Sequence, residues 1–328
     1  SAEKAAIQPS ESARGKLFKL SDLECDGPPN VEVWVGRESE MRALETSSAR
    51  VAIICGLGGE GKSALASEYI RRLDEFEGGY RQWDWRDCKE QSDRIRTQLV
   101  EVIVRFSGGL LVAEDLVDAD DTELIEVIIN NVDDAGAILV FDNVDSYVDL
   151  ENGVFIGILD KLVQAISHTK STSRLVITCR PEIQYTSTSI VTLNLHGISQ
   201  EEAIELFANR NPEVSIPEDD VKEAWEITKG HAFWLDLLAV QVNRVPGTTL
   251  RKQLSDMRRG NDNVPDVLST IWDRLADREK TLLRLMAEAV RPETEQTIEK
   301  FSTPQLGYNK FNRAFKSLKA LNLIVVKQ

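Results

Sequence analysis

From Val51 onward, short β-branched runs alternate with helical stretches, the pattern of βαβ units around a parallel sheet. The apolar runs place strands near 51–55, 80–86, 137–142, 174–178 and 190–194. Between them, apolar residues at helical spacing predict helices near 62–75, 91–106, 121–131 and 150–168. After Gly197 the strand pattern stops. Ser199, with Glu202 three residues on, forms a capping box that opens a helix, and helical periodicity continues to about residue 257. Residues 265–328 read helix, helix, helix, then a mostly apolar run from Leu321 to Val326, an order compatible with a winged helix that stops before a second wing strand. Residues 1–30, with Pro28 and Pro29 and few apolar anchors, read as a linker. The expected division is therefore linker 1–30, α/β domain 31–196, helical domain 197–263 and truncated winged helix 264–328.

Composition narrows the function classes. A chain of 328 residues suggests two or three domains. With 39 Lys and Arg against 54 Asp and Glu, the formal charge of −15 opposes sequence-independent binding to a phosphate backbone, so a general nucleic-acid coat protein is excluded. Apolar runs such as Val51 to Cys55 and Ala137 to Phe141 are strand-sized and far short of a membrane span. Cys25, Cys55, Cys88 and Cys179 are scattered with no C-x-x-C pair, and two of them sit in apolar strand-like runs where thiols pack as small hydrophobes. A reducing, cytoplasmic setting is expected. The chain begins Ser-Ala rather than Met, which suggests that neighbouring domains lie outside it.

The strongest chemical signal is Gly56-Leu57-Gly58-Gly59-Glu60-Gly61-Lys62-Ser63, which matches G-x-x-x-x-G-K-[ST] directly after a strand and directly before a helix. Glycines let backbone N–H groups converge on phosphate oxygens, and a helix N-terminus adds positive potential. Lys62 supplies a point charge and the Ser63 hydroxyl can ligate magnesium. Gly58, Gly59, Glu60, Gly61, Lys62, Ser63 and Ala64 are thus candidate nucleotide-binding residues, with a nucleotide and Mg2+ as the ligands; the loop does not set which base is bound. A chance match does not account for the strand-helix setting.

About eighty residues on, Ala137 to Phe141 runs into Asp142, as the magnesium-side strand of such a protein requires. Asp142 joins Ser63 as a metal candidate. The next residue is Asn143, and an amide cannot act as a base, so hydrolysis is expected to be slow. Asp145 could substitute if its turn points inward; a solvated loop carboxylate is the equal alternative.

Several further motifs align with these. Val35-Gly36-Arg37-Glu38 precedes the first strand, and Arg174-Leu175-Val176-Ile177-Thr178-Cys179-Arg180 ends a later one in arginine. Glu202, Ala203, Leu206 and Phe207 open the helical part, and Gly230-His231-Ala232-Phe233 precedes an apolar helix. Together these resemble the NB-ARC branch of the STAND signal-transduction ATPases. The resemblance implies that Val35 and Arg37 lie beside the nucleotide, that Arg180 senses the γ-phosphate, and that Ala232 and Phe233 occupy the place of a Gly-Leu-Pro-Leu base contact, with Ala232 in place of the proline. Lys62, Asp142 and Arg180 become the candidate catalytic residues. His231 is expected to be a packed or partly exposed loop residue rather than a ligand. No Met-His-Asp motif follows the last helix, so the histidine that holds relatives closed around ADP is absent from this chain.

What the resemblance implies is a switch whose product is a conformation: ADP holds the parts closed, and ATP releases them for self-association. Effector and sensor domains would lie outside the chain, in immune, defence or cell-death signalling. A P-loop phosphotransferase with true turnover and the ATPase module of a transcription regulator are the alternatives. Lys310, Arg313, Lys316 and Lys319 mark one side of a helix whose other side carries Phe311, Ala314, Phe315 and Leu318, where a DNA-recognition helix would lie. A basic solvated face opposite an apolar core face is the simpler reading, so nucleic acid is not an expected partner.

Overall fold

The computed structural model describes residues 27–72, 82–88, 94–168, 173–244, 249–259, 272, 275–287, 293–320 and 323–324. The linker reading over 1–26 and most of the apolar run 321–326 lie outside these residues. Two compact units emerge. The described residues of 27–30 and Arg37–Leu195 form the first, and those of Val31–Gly36 and His196–Lys327 the second.

The first unit runs α1 (Glu38–Thr46), β1 (Val51–Gly56), α2 (Lys62–Arg71), β2 (Gln82–Asp87), α3 (Arg94–Phe106), α4 (Asp121–Ala135) and β3 (Ala137–Asp142). It continues through β4 (Val148–Asp149), β5 (Val154–Phe155), α5 (Gly157–His168), β6 (Arg174–Cys179) and β7 (Ile190–Leu195). Five parallel strands make one sheet in the order β2-β3-β6-β1-β7. The three central strands are those with unbroken apolar runs, as burial on both faces requires. Val51, Ile53, Leu139, Phe141, Leu175 and Ile177 join one core with Ile103, Leu124 and Leu159 of α3, α4 and α5. Alternate residues such as Ala52, Ile54, Val140 and Val176 are buried on the opposite face.

Differences from the sequence reading have local causes. The helix expected from 150 starts at Gly157, because Asp149 Oδ1 accepts from the backbone N–H groups of Glu151 and Asn152 and turns the chain into the β4-β5 hairpin. Tyr185 then ties that hairpin down, its hydroxyl accepting from Phe155 N and donating to Asp160. Helix α4 runs four residues past the expected 131, ending where Gly136 takes a left-handed φ of 59° and its N–H caps the last carbonyls. Its start follows Asp120, whose carboxylate accepts from Thr122 N and Glu123 N. Helix α1 was not foreseen, although Met41 and Leu44, both buried, have helical spacing.

Edge strand β2 departs from the apolar pattern. Asp84 is fully buried, and its carboxylate accepts from Arg86 Nε and Nη2 and from Arg105 Nη1 on α3, at 2.5, 3.0 and 2.7 Å. One carboxylate thus neutralises part of two buried guanidiniums.

In the second unit, α6 (Gln200–Arg210), α7 (Glu218–Thr228), α8 (Ala232–Arg244) and α9 (Leu250–Arg259) surround a core that includes Phe207, Ala224, Leu235, Leu238 and Leu254. The Ser199 capping box is formed as read: Glu202 N donates to Ser199 Oγ at 3.1 Å and Ser199 N to Glu202 Oε2 at 2.7 Å. A second core, around Leu282, Ile298, Phe311 and Leu318, joins α10 (Asp277–Ala287), α11 (Glu295–Leu306) and α12 (Tyr308–Ala320). These are the three helices in the expected order; among the described residues no wing strand follows them. On α12 the four basic residues are exposed and Phe311, Ala314, Phe315 and Leu318 are buried. No described helix is long and apolar enough to cross a membrane.

Truncating Asp84 would leave two guanidiniums buried without their shared carboxylate. Asp84→Ala is expected to destabilise the first unit by about 3–5 kcal/mol, read as a lowered urea midpoint.

Candidate functional site

The loop between β1 and α2 is shaped by glycine where geometry demands it. At Gly56 a Cβ would stand 2.7 Å from the Leu195 carbonyl oxygen, so no larger residue fits where β1 leaves the sheet beside β7. Gly59 and Gly61 have φ of 87° and 88°, which L side chains rarely adopt, and α2 begins immediately after Gly61. Leu57, Gly58 and Gly59 are exposed, so the backbone itself forms the mouth of the loop. Glu60 is buried, and Ala64 is half-buried in the first turn of α2.

Two arginines flank this loop. Arg37, itself at a left-handed φ of 63°, donates from Nη2 to the Glu60 carbonyl at 3.0 Å and from Nη1 to Glu40 at 3.1 Å. The structure therefore places Arg37 as a brace on the loop backbone, a contact that no sequence pattern announced. Arg180 stands on the other side and is 70% exposed at its side chain; a Cβ on Gly58 would lie 3.7 Å from its guanidinium carbon. Asp145 holds it in place, accepting from the Arg180 backbone N–H and lying 3.5 Å from its Nε. Asp145 is thus engaged with Arg180 rather than merely solvated.

Lys62 is buried and its ammonium donates to the Gly56 and Leu57 carbonyls at 2.8 and 2.9 Å. Burial lowers its pKa, Arg180 adds to that, and the carboxylates of Asp145 and Asp142 oppose it. An anion entering the loop would relieve exactly this desolvated cation.

Asp142 ends β3 nearly fully buried, and its Oδ1 accepts from Ser63 Oγ at 2.7 Å and from Thr178 Oγ1. The two residues predicted to flank magnesium, 79 positions apart, are thus in direct contact. Thr178 was not singled out as a site residue; its hydroxyl also accepts from Asn143 N at 3.0 Å. Asn143 adopts a left-handed φ of 63°, and its Nδ2 donates to Asp87 Oδ1 at 3.0 Å. Beneath the site, Cys55 and Cys179 are register partners with Sγ atoms 3.7 Å apart, both buried as the packed thiols expected of them. The hydrogen bond to Cys55, reinforced by burial, pushes the Cys179 thiol up.

The remaining candidates belong to the second unit. Val35 and Ala232 are partly buried and pack on the same helical core, while Phe233 is 41% exposed and stacks edge-on against Trp234. His231 packs against Trp234 with ring centroids 5.9 Å apart.

The donor set fits a nucleotide with magnesium. A hydroxyl and a carboxylate, both hard oxygen donors, meet at the loop, and magnesium is ordinarily held by one or two such side chains together with phosphate oxygens. Ser63 and Asp142 would hold the ion, and Lys62 with the loop amides would hold the phosphates.

Sheet, loop and acidic strand define a P-loop NTPase fold. The NB-ARC domain profile matches residues 39–215, and the chain belongs to that family. No curated protein matches the chain. Among solved structures, a STAND protein with a tetratricopeptide repeat sensor from Pyrococcus horikoshii aligns with a TM-score of 0.68 and 18% identity, over 92% of this chain and 41% of that one. The chain thus spans about two fifths of that protein's length. A Walker-type ATPase of Pyrococcus abyssi aligns with a TM-score of 0.47 and 17% identity, over 93% of this chain and 94% of that one.

Asp142→Asn would keep the volume but remove the charge offered to the cation. Its expected effect is on magnesium: added Mg2+ should no longer tighten ADP binding over an EDTA control, as read by calorimetric titration.

Proposed function

We propose that this chain is the nucleotide-operated switch module of a larger STAND protein, taking ADP or ATP with Mg2+ and controlling self-association. The observation that carries the reading is the position of Arg180. It rises from the end of β6 against Gly58 of the phosphate loop, steered by Asp145, where a guanidinium can grip a phosphoryl oxygen present with three phosphates and absent with two. The fold shared with a STAND protein that carries a separate sensor supports placing the sensor and effector parts outside this chain. Within it, 31–196 would bind the nucleotide, with Val35 and Arg37 beside it, Ala232 and Phe233 of 197–263 would contact the base, and 264–328 would be the lid. Immune, defence or cell-death signalling in the cytoplasm is the setting this reading implies.

Magnitudes set what one residue can do. Moving a two-state switch from 1:99 to 99:1 takes about 5.5 kcal/mol. A charge-assisted hydrogen bond contributes about 1.5–3 kcal/mol, so Arg180 biases the switch and contacts elsewhere in the assembly complete it.

Two substitutions test this. Lys62→Ala should abolish nucleotide binding while the thermal midpoint stays close to that of the parent; unchanged ADP affinity would refute the site. Arg180→Ala should weaken ATP about tenfold or more and ADP little, since the lost contact is worth at least about 1.4 kcal/mol. Equal losses for both nucleotides in a fluorescence titration would remove Arg180 from the sensing role.

A further inference from the structure

We infer that Asp87, at the end of β2, supplies the carboxylate that receives the proton of the attacking water when this site hydrolyses a nucleoside triphosphate, with Asn143 as its positioning residue. The inference rests on the switch reading above and adds to it the residue that limits how long the triphosphate state lasts.

Parallel pairing sets Asp87 in register with Asp142, one strand over. In-register residues of a parallel pair face the same side of the sheet. Asp142 is bonded to Ser63, so that side is the one carrying α2 and the phosphate loop. The next rungs back agree: Trp85 pairs with Val140, on the same side, whereas Arg86 pairs with Phe141, which faces the α3–α5 core. Asp87 is half-buried at the ends of the strands, beside the candidate metal carboxylate.

Asn143 gives the placement its meaning. It occupies the position after the acidic strand, where a second carboxylate is absent from the sequence. Its left-handed backbone turns the side chain back toward β2, so that Nδ2 donates to Asp87 Oδ1 at 3.0 Å while its own N–H is held by Thr178 Oγ1 at 3.0 Å. A carboxylate offers two oxygens and about four lone-pair sites, and the amide of Asn143 orients it through one of them. The backbone around it is fixed on both sides. Cys88 N donates to the Asp142 carbonyl at 2.7 Å, and Gln98 Nε2 donates to the Asp87 carbonyl at 3.0 Å. Asp145, the other nearby acid, is engaged with Arg180.

In the step, the water oxygen forms a bond to the γ-phosphorus, and the bond from that phosphorus to the β–γ bridging oxygen breaks. The electron pair stays on the bridging oxygen of the departing diphosphate. The water proton passes to the Asp87 carboxylate and from there to solvent.

The experiment uses the full chain and reads three quantities in parent and variants: turnover, affinity for ADP and for a non-hydrolysable ATP analogue, and the Asn143 side-chain amide resonances before nucleotide is added. Asp87→Asn should lower turnover about a hundredfold, within the span of a general base, while both affinities stay within about twofold. The Asn143 amide resonances should shift in that variant, which reads the contact without any ligand. Combining Asp87→Asn with Asn143→Asp exchanges amide and carboxylate across the same bond, and turnover should recover at least about tenfold over the single variant. Turnover unchanged by Asp87→Asn, turnover lost in proportion to affinity, or a parent that binds ATP without hydrolysing it would each overturn the inference and leave the binding site standing. A parent that binds neither nucleotide would overturn the switch reading and this inference together.

Discussion

The carboxylate of Asp142 is the point on which the first unit's chemistry turns. It accepts from Ser63 at the start of α2 and from Thr178 on β6, so one buried group joins the phosphate-loop helix to two adjacent strands. An unpaired carboxylate at this depth would be costly; two hydroxyl donors make it tolerable, and both are groups that can turn to other partners. The position is possible only because β1, β3 and β6 run parallel and end at one level, which brings Gly56, Asp142 and Thr178 to the same edge of the sheet.

Arginines secure the surroundings of that edge. Arg37 braces the loop through the backbone carbonyl of Glu60. Arg174, almost fully buried, reaches the Leu44 carbonyl and the Tyr69 hydroxyl, and lies 5.4 Å from the Tyr69 ring centroid, linking β6 to α1 and α2. Arg86 and Arg105 do the equivalent for β2 and α3 through Asp84. The planar fork suits the choice at Arg37 and Arg86, each of which reaches acceptors on two different elements from separate nitrogens. Of these, only Arg180 is left largely exposed, and it stands over the loop.

The helical unit follows simpler rules. Its helices begin and end on local capping, as at Ser199 and at Lys229, whose left-handed φ of 53° ends α7. Arg210 ties α6 to α8 through Asp236 and to the incoming segment through Glu32, at 2.6 and 2.7 Å. Gly230 follows Lys229 at a φ of 74°, and a Cβ there would lie 2.6 Å from the Ile198 carbonyl, so the turn before Ala232 is closed tightly on the start of the unit. The basic stripe on α12 is what the other side of a packed amphipathic helix looks like, and its exposure adds nothing beyond that.

By itself the sequence determined what is local. The glycines of the phosphate loop, the apolar runs of the three central strands and the Ser199 box are each readable because their cause lies within a few residues. The hairpin at 148–155 escaped because a side-chain-capped turn, rather than periodicity, decides it. Only the tertiary structure decided which distant residues meet: Thr178 on Asp142, Asp145 on Arg180, Arg37 on Glu60, Asp87 on Asn143. Asn143 shows why. Read along the chain it is a missing acid, but parallel pairing of β2 with β3 sets beside it a carboxylate from 56 residues earlier. Register is fixed by burial of whole sheet faces, and no short stretch of sequence carries that information.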